Sequence, residues 1–274
     1  MNETLKRFLS GVVYVALLVI ATSNSKNSFF VLFGVFLLIA IYEFCKLAHL
    51  NKILPIIFGL AAYYVATQFK TSKINDILIL IATLYVSIKC LILLFNSKSE
   101  KIDKISKYIY LIGYVILPFI IITKIPFSDN EFRPKIIISI FILIWTNDTF
   151  AYIIGKSIGQ HKLFEKISPK KTIEGFIGGM LFSIIAGILI SKFYFEPKPD
   201  YLYTSILIWT ISAVIISIFS TLGDLIESKF KRIAAIKDSG NIMPGHGGIL
   251  DRLDSIIFVA PFVYLFYQIL YYVS

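Results

Sequence analysis

Long apolar runs alternate with short polar or proline-bearing breaks along the whole chain. They fall at about 8–21, 29–50, 53–69, 77–95, 108–125, 136–154, 176–195, 203–222 and 253–273. Each is close to the roughly 20 residues that an α-helix needs to cross about 30 Å of hydrocarbon. The two-residue alternation of a β-barrel is absent. Because backbone polar groups in hydrocarbon must be paired internally, unbroken apolar runs of this length predict helices. Tyrosines gather toward run ends, at Tyr108, Tyr110, Tyr201, Tyr203, Tyr271 and Tyr272, as in an interfacial aromatic belt. The pattern predicts an all-α, polytopic integral membrane protein with about nine transmembrane helices. The run at 8–21, after a basic start, has the charge and length of a signal peptide but no small-residue cleavage pattern, and it reads as the first span. No fixed-period repeat or low-complexity linker divides the chain. We therefore treat 1–274 as one membrane domain, with hydrophobic helices over 1–130 and the residues suited to chemistry over 131–274.

Composition agrees with the pattern. The chain has 274 residues, 57% hydrophobic and 16% charged, with a mean hydropathy of +0.79, whereas soluble domains carry roughly a quarter charged residues. Nine spans would leave fewer than about 100 residues outside the membrane, too few for a separate soluble domain. The net charge of +10 is an orientation signal before it is a nucleic-acid signal. With the N-terminus inside, 19 of the 27 basic residues fall on one side, so the positive-inside rule favours N-in and C-out. That arrangement makes 155–175 and 223–254 cytoplasmic. Cys45 and Cys90 lie far apart in apolar runs, so neither a disulfide framework nor a zinc site is expected.

The 223–254 segment reads GDLIESKFKRIAAIKDSGNIMPGHGGILDRLD. Asp224, Ser228 and Lys231 are spaced by four and three, so a helix continuing out of the eighth span places them on one face. Asp251 and Asp254 share a face at the start of the ninth helix, where a helix N-terminus favours anions. Between them, Pro244, Gly245, Gly247 and Gly248 surround His246 with backbone able to turn sharply. Two carboxylate faces joined by a basic loop suit one hard cation such as magnesium, which shares its shell with phosphate oxygens. Interfacial charge capping accounts for any one of these residues, but not for the constellation.

The same segment resembles the signature of phosphatidate cytidylyltransferases, also called CDP-diacylglycerol synthases. The match runs over 27 residues: Ser228-x-Phe230-Lys231-Arg232, Lys237-Asp238, Gly240 and Pro244-x-His246-Gly247-Gly248-Ile249-x-Asp251-Arg252-Leu253-Asp254. Met243 stands where another large apolar residue is expected. Further matches are Asn147 to Tyr152, Gly155-Lys156 through His161-Lys162-Leu163, and Ser168 to Gly175. The first 130 residues match only as a hydrophobic helical half, with Lys6-Arg7-x-x-Ser10-Gly11 as a weak echo. The resemblance implies condensation of CTP with phosphatidic acid to CDP-diacylglycerol and pyrophosphate, in the cell membrane at its cytoplasmic face, with magnesium and in some members potassium, and by a homodimer. It implies Asp224 and Asp251 as metal ligands, with Asp254 and Lys231 completing the site. It casts Ser228, Arg232, Lys237, Asp238, His246, Gly247, Gly248, Arg252, Asp148, Lys170 and Lys171 as candidates for substrate contact.

Asp148 also stands out by its position, since a carboxylate within an apolar run costs about 2.5–3.5 kcal/mol unless it is solvated or paired. Gly155-Lys156-Ser157 is not a P-loop: Phe150 occupies the position of its first glycine, and a membrane span precedes it. Gly175 and Gly179 at four-residue spacing predict close helix packing. Pro55 and Pro118 read as entry or kink residues, Glu43 and Lys46 as a local pair, and His49 and His161 as lacking metal-ligand partners. Two other functions fit the composition. A CTP-dependent polyprenol or dolichol kinase fits the long signature less well. A secondary transporter would show interrupted helices in two symmetric halves, whereas the polar chemistry here is confined to the second.

Overall fold

The structure is a computed structural model that describes residues 3–69, 72–96, 102–128, 131–243 and 247–273. Among them the helices are α1 (Glu3–Asn24), α2 (Lys26–Ala48), α3 (Ile53–Gln68), α4 (Lys73–Phe95), α5 (Lys104–Lys124), α6 (Pro134–Ile158), α7 (Ile173–Phe195), α8 (Leu202–Ile233) and α9 (Leu250–Val273). Seven of these are long and apolar enough to cross a membrane, α1 and α3 being shorter in their apolar parts. This is the architecture of an all-helical, multi-pass membrane protein.

Helix starts follow ordinary capping chemistry. Ser25, Ser72, Asp103 and Thr172 each accept a backbone N–H from the first turn of the helix that follows. Pro134 opens α6, where its missing N–H is not needed. At the end of α2, His49 takes a left-handed conformation with φ 54°, which closes the last turn. Pro118 follows a π-helical turn at Leu111–Ile116. A proline cannot donate to the preceding turn, and a widened turn is one way a helix absorbs that loss. Pro55 lies in the first turn of α3.

α9 is the central element. Leu253, Ile256, Ile257, Phe258, Val259, Ala260 and Val263 are all at most 1% exposed, so the apolar middle of the helix is enclosed on every side. α2 contributes Phe29, Phe33 and Phe44 to the same core. α3 shows Leu54, Ile57, Phe58 and Tyr64 on the outside, a face suited to lipid.

α6 and α7 lie against each other through glycines, as the sequence spacing predicts. A Cβ on Gly175 would come within 2.6 Å of the Ala151 carbonyl, and one on Gly179 within 2.6 Å of the Asn147 carbonyl. The connection between them is an antiparallel hairpin of β3 (Lys162–Phe164) and β4 (Ser168–Thr172), in register Lys162 to Thr172 and Phe164 to Ser168. A second, minimal pair, β1 (Phe127–Ser128) and β2 (Glu131–Phe132), precedes α6. Neither hairpin is visible in the hydrophobic pattern, because strands of two to five residues are too short to show a period.

Candidate active site

α8 continues past its apolar stretch to Ile233, as expected, and carries Asp224, Glu227, Ser228 and Lys231 toward the loop before α9. The Lys231 ammonium lies 2.7 Å from Asp251 Oδ1 and 2.5 Å from Glu227 Oε2. The other Asp251 oxygen, Oδ2, accepts three further bonds: the Ser239 N–H at 2.9 Å, the Ser239 hydroxyl at 2.9 Å and the Gly248 N–H at 2.7 Å. Asp251 thus ties helix α8, the loop and its own helix together. Gly247 takes φ +89°, and a Cβ there would press on Asp251 Oδ2, so a glycine is needed for both conformation and space.

From the opposite side β4 supplies Lys171, whose ammonium is 2.5 Å from Asp224 Oδ2. Ser228 donates to Asp224 Oδ1 at 3.4 Å. Asp148 reaches the same region from α6, held by the Asn147 amide at 3.3 Å, which also reaches the Ser220 hydroxyl at 3.2 Å. Asp254 is 8% exposed, accepts the Ser255 N–H at 2.7 Å, and lines the same cavity as Asp224 and Asp148.

All four aspartates face one cavity of about 840 Å³. Lys170, Lys171, Lys231 and Arg252 line it too, and Tyr14 of α1 and Trp145 of α6 give it apolar walls. A cavity lined by both anionic and cationic groups and walled by apolar helices can receive a phosphate-rich, water-soluble molecule and an amphiphile together.

The remaining candidates are placed less centrally. Arg232 turns away and donates from Nε to the Ile167 carbonyl at 3.5 Å, clamping the hairpin to α8. Lys237 and Asp238 are exposed in the loop and outside the cavity lining. Gly248 is buried beneath the loop. His246, with Pro244 and Gly245, lies outside the described residues. Among the described residues, no three Asp, Glu, His or Cys side chains already converge as a metal-binding group. Lysines stand against Asp224 and Asp251 in this geometry.

Three participants escape a reading of the sequence. Glu227 is 1% exposed, and its carboxylate has the Lys231 ammonium as its charge partner. Ser239 bridges toward Asp251. Glu43 does not pair locally with Lys46. Its carboxylate is 1% exposed and accepts the Ile249 N–H at 3.2 Å and the Leu250 N–H at 2.8 Å, with the Ser239 hydroxyl at 3.4 Å. The rule that flags Asp148, a carboxylate inside an apolar run, also applies to Glu43. His161 pairs with Glu174 at 2.5 Å, beside the hairpin.

The chain is 31% identical to the phosphatidate cytidylyltransferase of Bacillus subtilis over 272 residues, 96% of this chain and 97% of that protein. It is 48% identical to the phosphatidate cytidylyltransferase of Staphylococcus epidermidis over 127 residues, and 52% identical to that of Staphylococcus haemolyticus over 123. Those two matches span just under half the length of the staphylococcal relatives, 46% and 44%, and the same shares of this chain. The profile of the Cytidylyltransferase family matches residues 5–270, from the first turns of α1 to the end of α9, and the chain belongs to that family.

Proposed function

We propose that this chain transfers the cytidylyl group of CTP to phosphatidic acid, giving CDP-diacylglycerol and pyrophosphate for phospholipid synthesis. The observation that carries this reading is the cavity itself, whose lining brings Asp148, Asp224, Asp251 and Asp254 together with Lys170, Lys171, Lys231 and Arg252. The whole-length likeness to the Bacillus subtilis enzyme supports it.

In this reaction a phosphate oxygen of the lipid attacks the α-phosphorus of CTP, the new P–O–P bond forms, and the bond to the β-phosphate breaks to release pyrophosphate. A phosphate monoester is already a nucleophile near neutral pH, so no strong general base is required. The task is to hold several anions together, and fixed cations perform it. Lys170 and Lys171 on the hairpin suit the nucleotide phosphates. Arg252 and Lys231 suit the lipid phosphate or the departing pyrophosphate. His246, Lys237 and Asp238 remain candidates for substrate contact through the family resemblance. Ser228 holds Asp224, and Gly247 and Gly248 shape the backbone around Asp251.

The carboxylates fit a hard divalent ion, since aspartate oxygens are its preferred protein ligands. We assign Asp224, Asp251 and Asp254 to magnesium, with potassium as a neighbouring second ion, and Lys171 and Lys231 would exchange their carboxylate partners as the ion enters. Bound there, magnesium would neutralise charge on the reacting phosphates.

We further propose that all nine helices cross the membrane, with the N-terminus and the cavity on the cytoplasmic side of the cell membrane and the C-terminus outside. The basic-residue asymmetry supports this. The family resemblance supports a homodimer.

The test is direct. Purified protein given magnesium, phosphatidic acid and labelled CTP is expected to form CDP-diacylglycerol and pyrophosphate, and Asp251→Asn to lose the activity while remaining folded. Release of CDP with transfer of one phosphate would show a lipid kinase instead.

A further inference from the structure

We propose that Glu43, in the amino-terminal helices, is a positioning residue for this site: it sets the start of α9 and, through Ser239, the carboxylate of Asp251. The inference rests on the proposed function for its kinetic consequence, but not for its geometry.

A helix begins with N–H groups that have no partner within it, and buried ones must find an acceptor elsewhere. No residue adjacent in sequence serves Ile249 and Leu250. Both are served by the Glu43 carboxylate, at 3.2 and 2.8 Å, from more than 200 residues away. The carboxylate is closely enclosed. A Cβ on Gly240 or on Gly248 would run into it, so two glycines of the signature loop are shaped to its presence. A carboxylate suits this position better than an amide would. Both its oxygens accept, whereas an amide must turn a donor toward one of the two N–H groups.

The coupling to Asp251 is short. The Ser239 hydroxyl lies 2.9 Å from Asp251 Oδ2 and 3.4 Å from Glu43 Oε2, and the Ser239 N–H is on the same Asp251 oxygen. One residue along, Phe44 meets Phe230 edge-on with ring centres 5.5 Å apart, beside Lys231. Consecutive residues of α2 therefore brace both partners of the Lys231–Asp251 ion pair, one through α8 and one through the start of α9. Removing an outer partner of a metal ligand commonly costs about 10–100-fold in activity or metal affinity.

The experiment compares wild type, Glu43→Gln and Ser239→Ala as full-length protein in detergent. Hydrogen exchange is followed over 236–256 without substrate, and turnover is followed against magnesium and CTP. We expect faster exchange at Ile249 and Leu250 in Glu43→Gln with the rest of α9 unchanged. We also expect kcat to fall by about 10-fold or more and the magnesium midpoint to rise, with KM for CTP within about two-fold. Ser239→Ala, which leaves the backbone contacts in place, should show the kinetic change in weaker form, and it carries the test if Glu43→Gln does not fold. Wild-type exchange at Ile249 and Leu250 in Glu43→Gln, or wild-type kcat and magnesium midpoint in Ser239→Ala, overturns the proposal. Absence of transfer by the wild type would overturn the proposed function alone, since the exchange measurement does not depend on it.

Discussion

Lys171 and Asp224 meet at 2.5 Å, joining a strand of the hairpin to the helix that carries the first part of the signature. Chain segments more than 50 residues apart thus share one charge pair in the lining of the cavity. The pair separates two roles, one for the cation and one for the carboxylate.

Lys171→Ala is expected to raise KM for CTP by about 10-fold or more with a smaller change in kcat, because it removes a cation that meets ground-state and transition-state phosphates alike. Asp224→Asn is expected to lower kcat by at least about 10²-fold. Steady-state kinetics on the two variants checks this. A kcat loss in Lys171→Ala equal to that of Asp224→Asn would contradict the division.

Lys231 has a side chain 15% exposed beside Glu227 at 1% and Asp251 at 9%. Its removal leaves two carboxylates together in a poorly solvated place. Breaking a buried ion pair from one side costs about 3–5 kcal/mol, so Lys231→Met should lower the melting temperature as well as abolish turnover. Adding Glu227→Gln should recover part of the stability and none of the activity. Thermal unfolding in detergent, run beside the transfer assay, separates the two effects.

Gly179 approaches the Asn147 carbonyl so closely that a methyl group there must push α6 and α7 apart. Gly179→Ala should destabilise by about 1–3 kcal/mol and displace Asp148, whose partner is Asn147. A melting temperature equal to wild type would show that the two helices can separate at no cost.

The direction of insertion has its own measurement. A reporter fused after Ser274 should be extracytoplasmic, and one fused in the α4–α5 loop cytoplasmic. A cytoplasmic signal at the C-terminus would remove the nine-crossing arrangement and invert the assignment of sides for the later helices.

Much of this was legible along the chain. Apolar runs demanded helices because hydrocarbon offers backbone groups no other partner than the same segment, and α8 was correctly extended to carry Asp224, Ser228 and Lys231 on one face. The signature and the Asp148 region pointed to the cavity that the fold assembles. Other parts were out of reach. The β3–β4 hairpin has no period long enough to detect, and the π-helical turn before Pro118 follows from how one helix accommodates a missing donor.

By itself, the sequence determined the helical, membrane-suited architecture, the two polar segments that hold the chemistry and the family they resemble, since each depends on spacing within a single segment. Tertiary structure alone decided that Glu43 serves Ile249 and Leu250 in place of Lys46, that Lys171 answers Asp224, and that Glu227 joins Lys231. A helix face predicts which neighbours three or four residues away can meet. It cannot predict which distant donor will reach a carboxylate that packing has closed off from water.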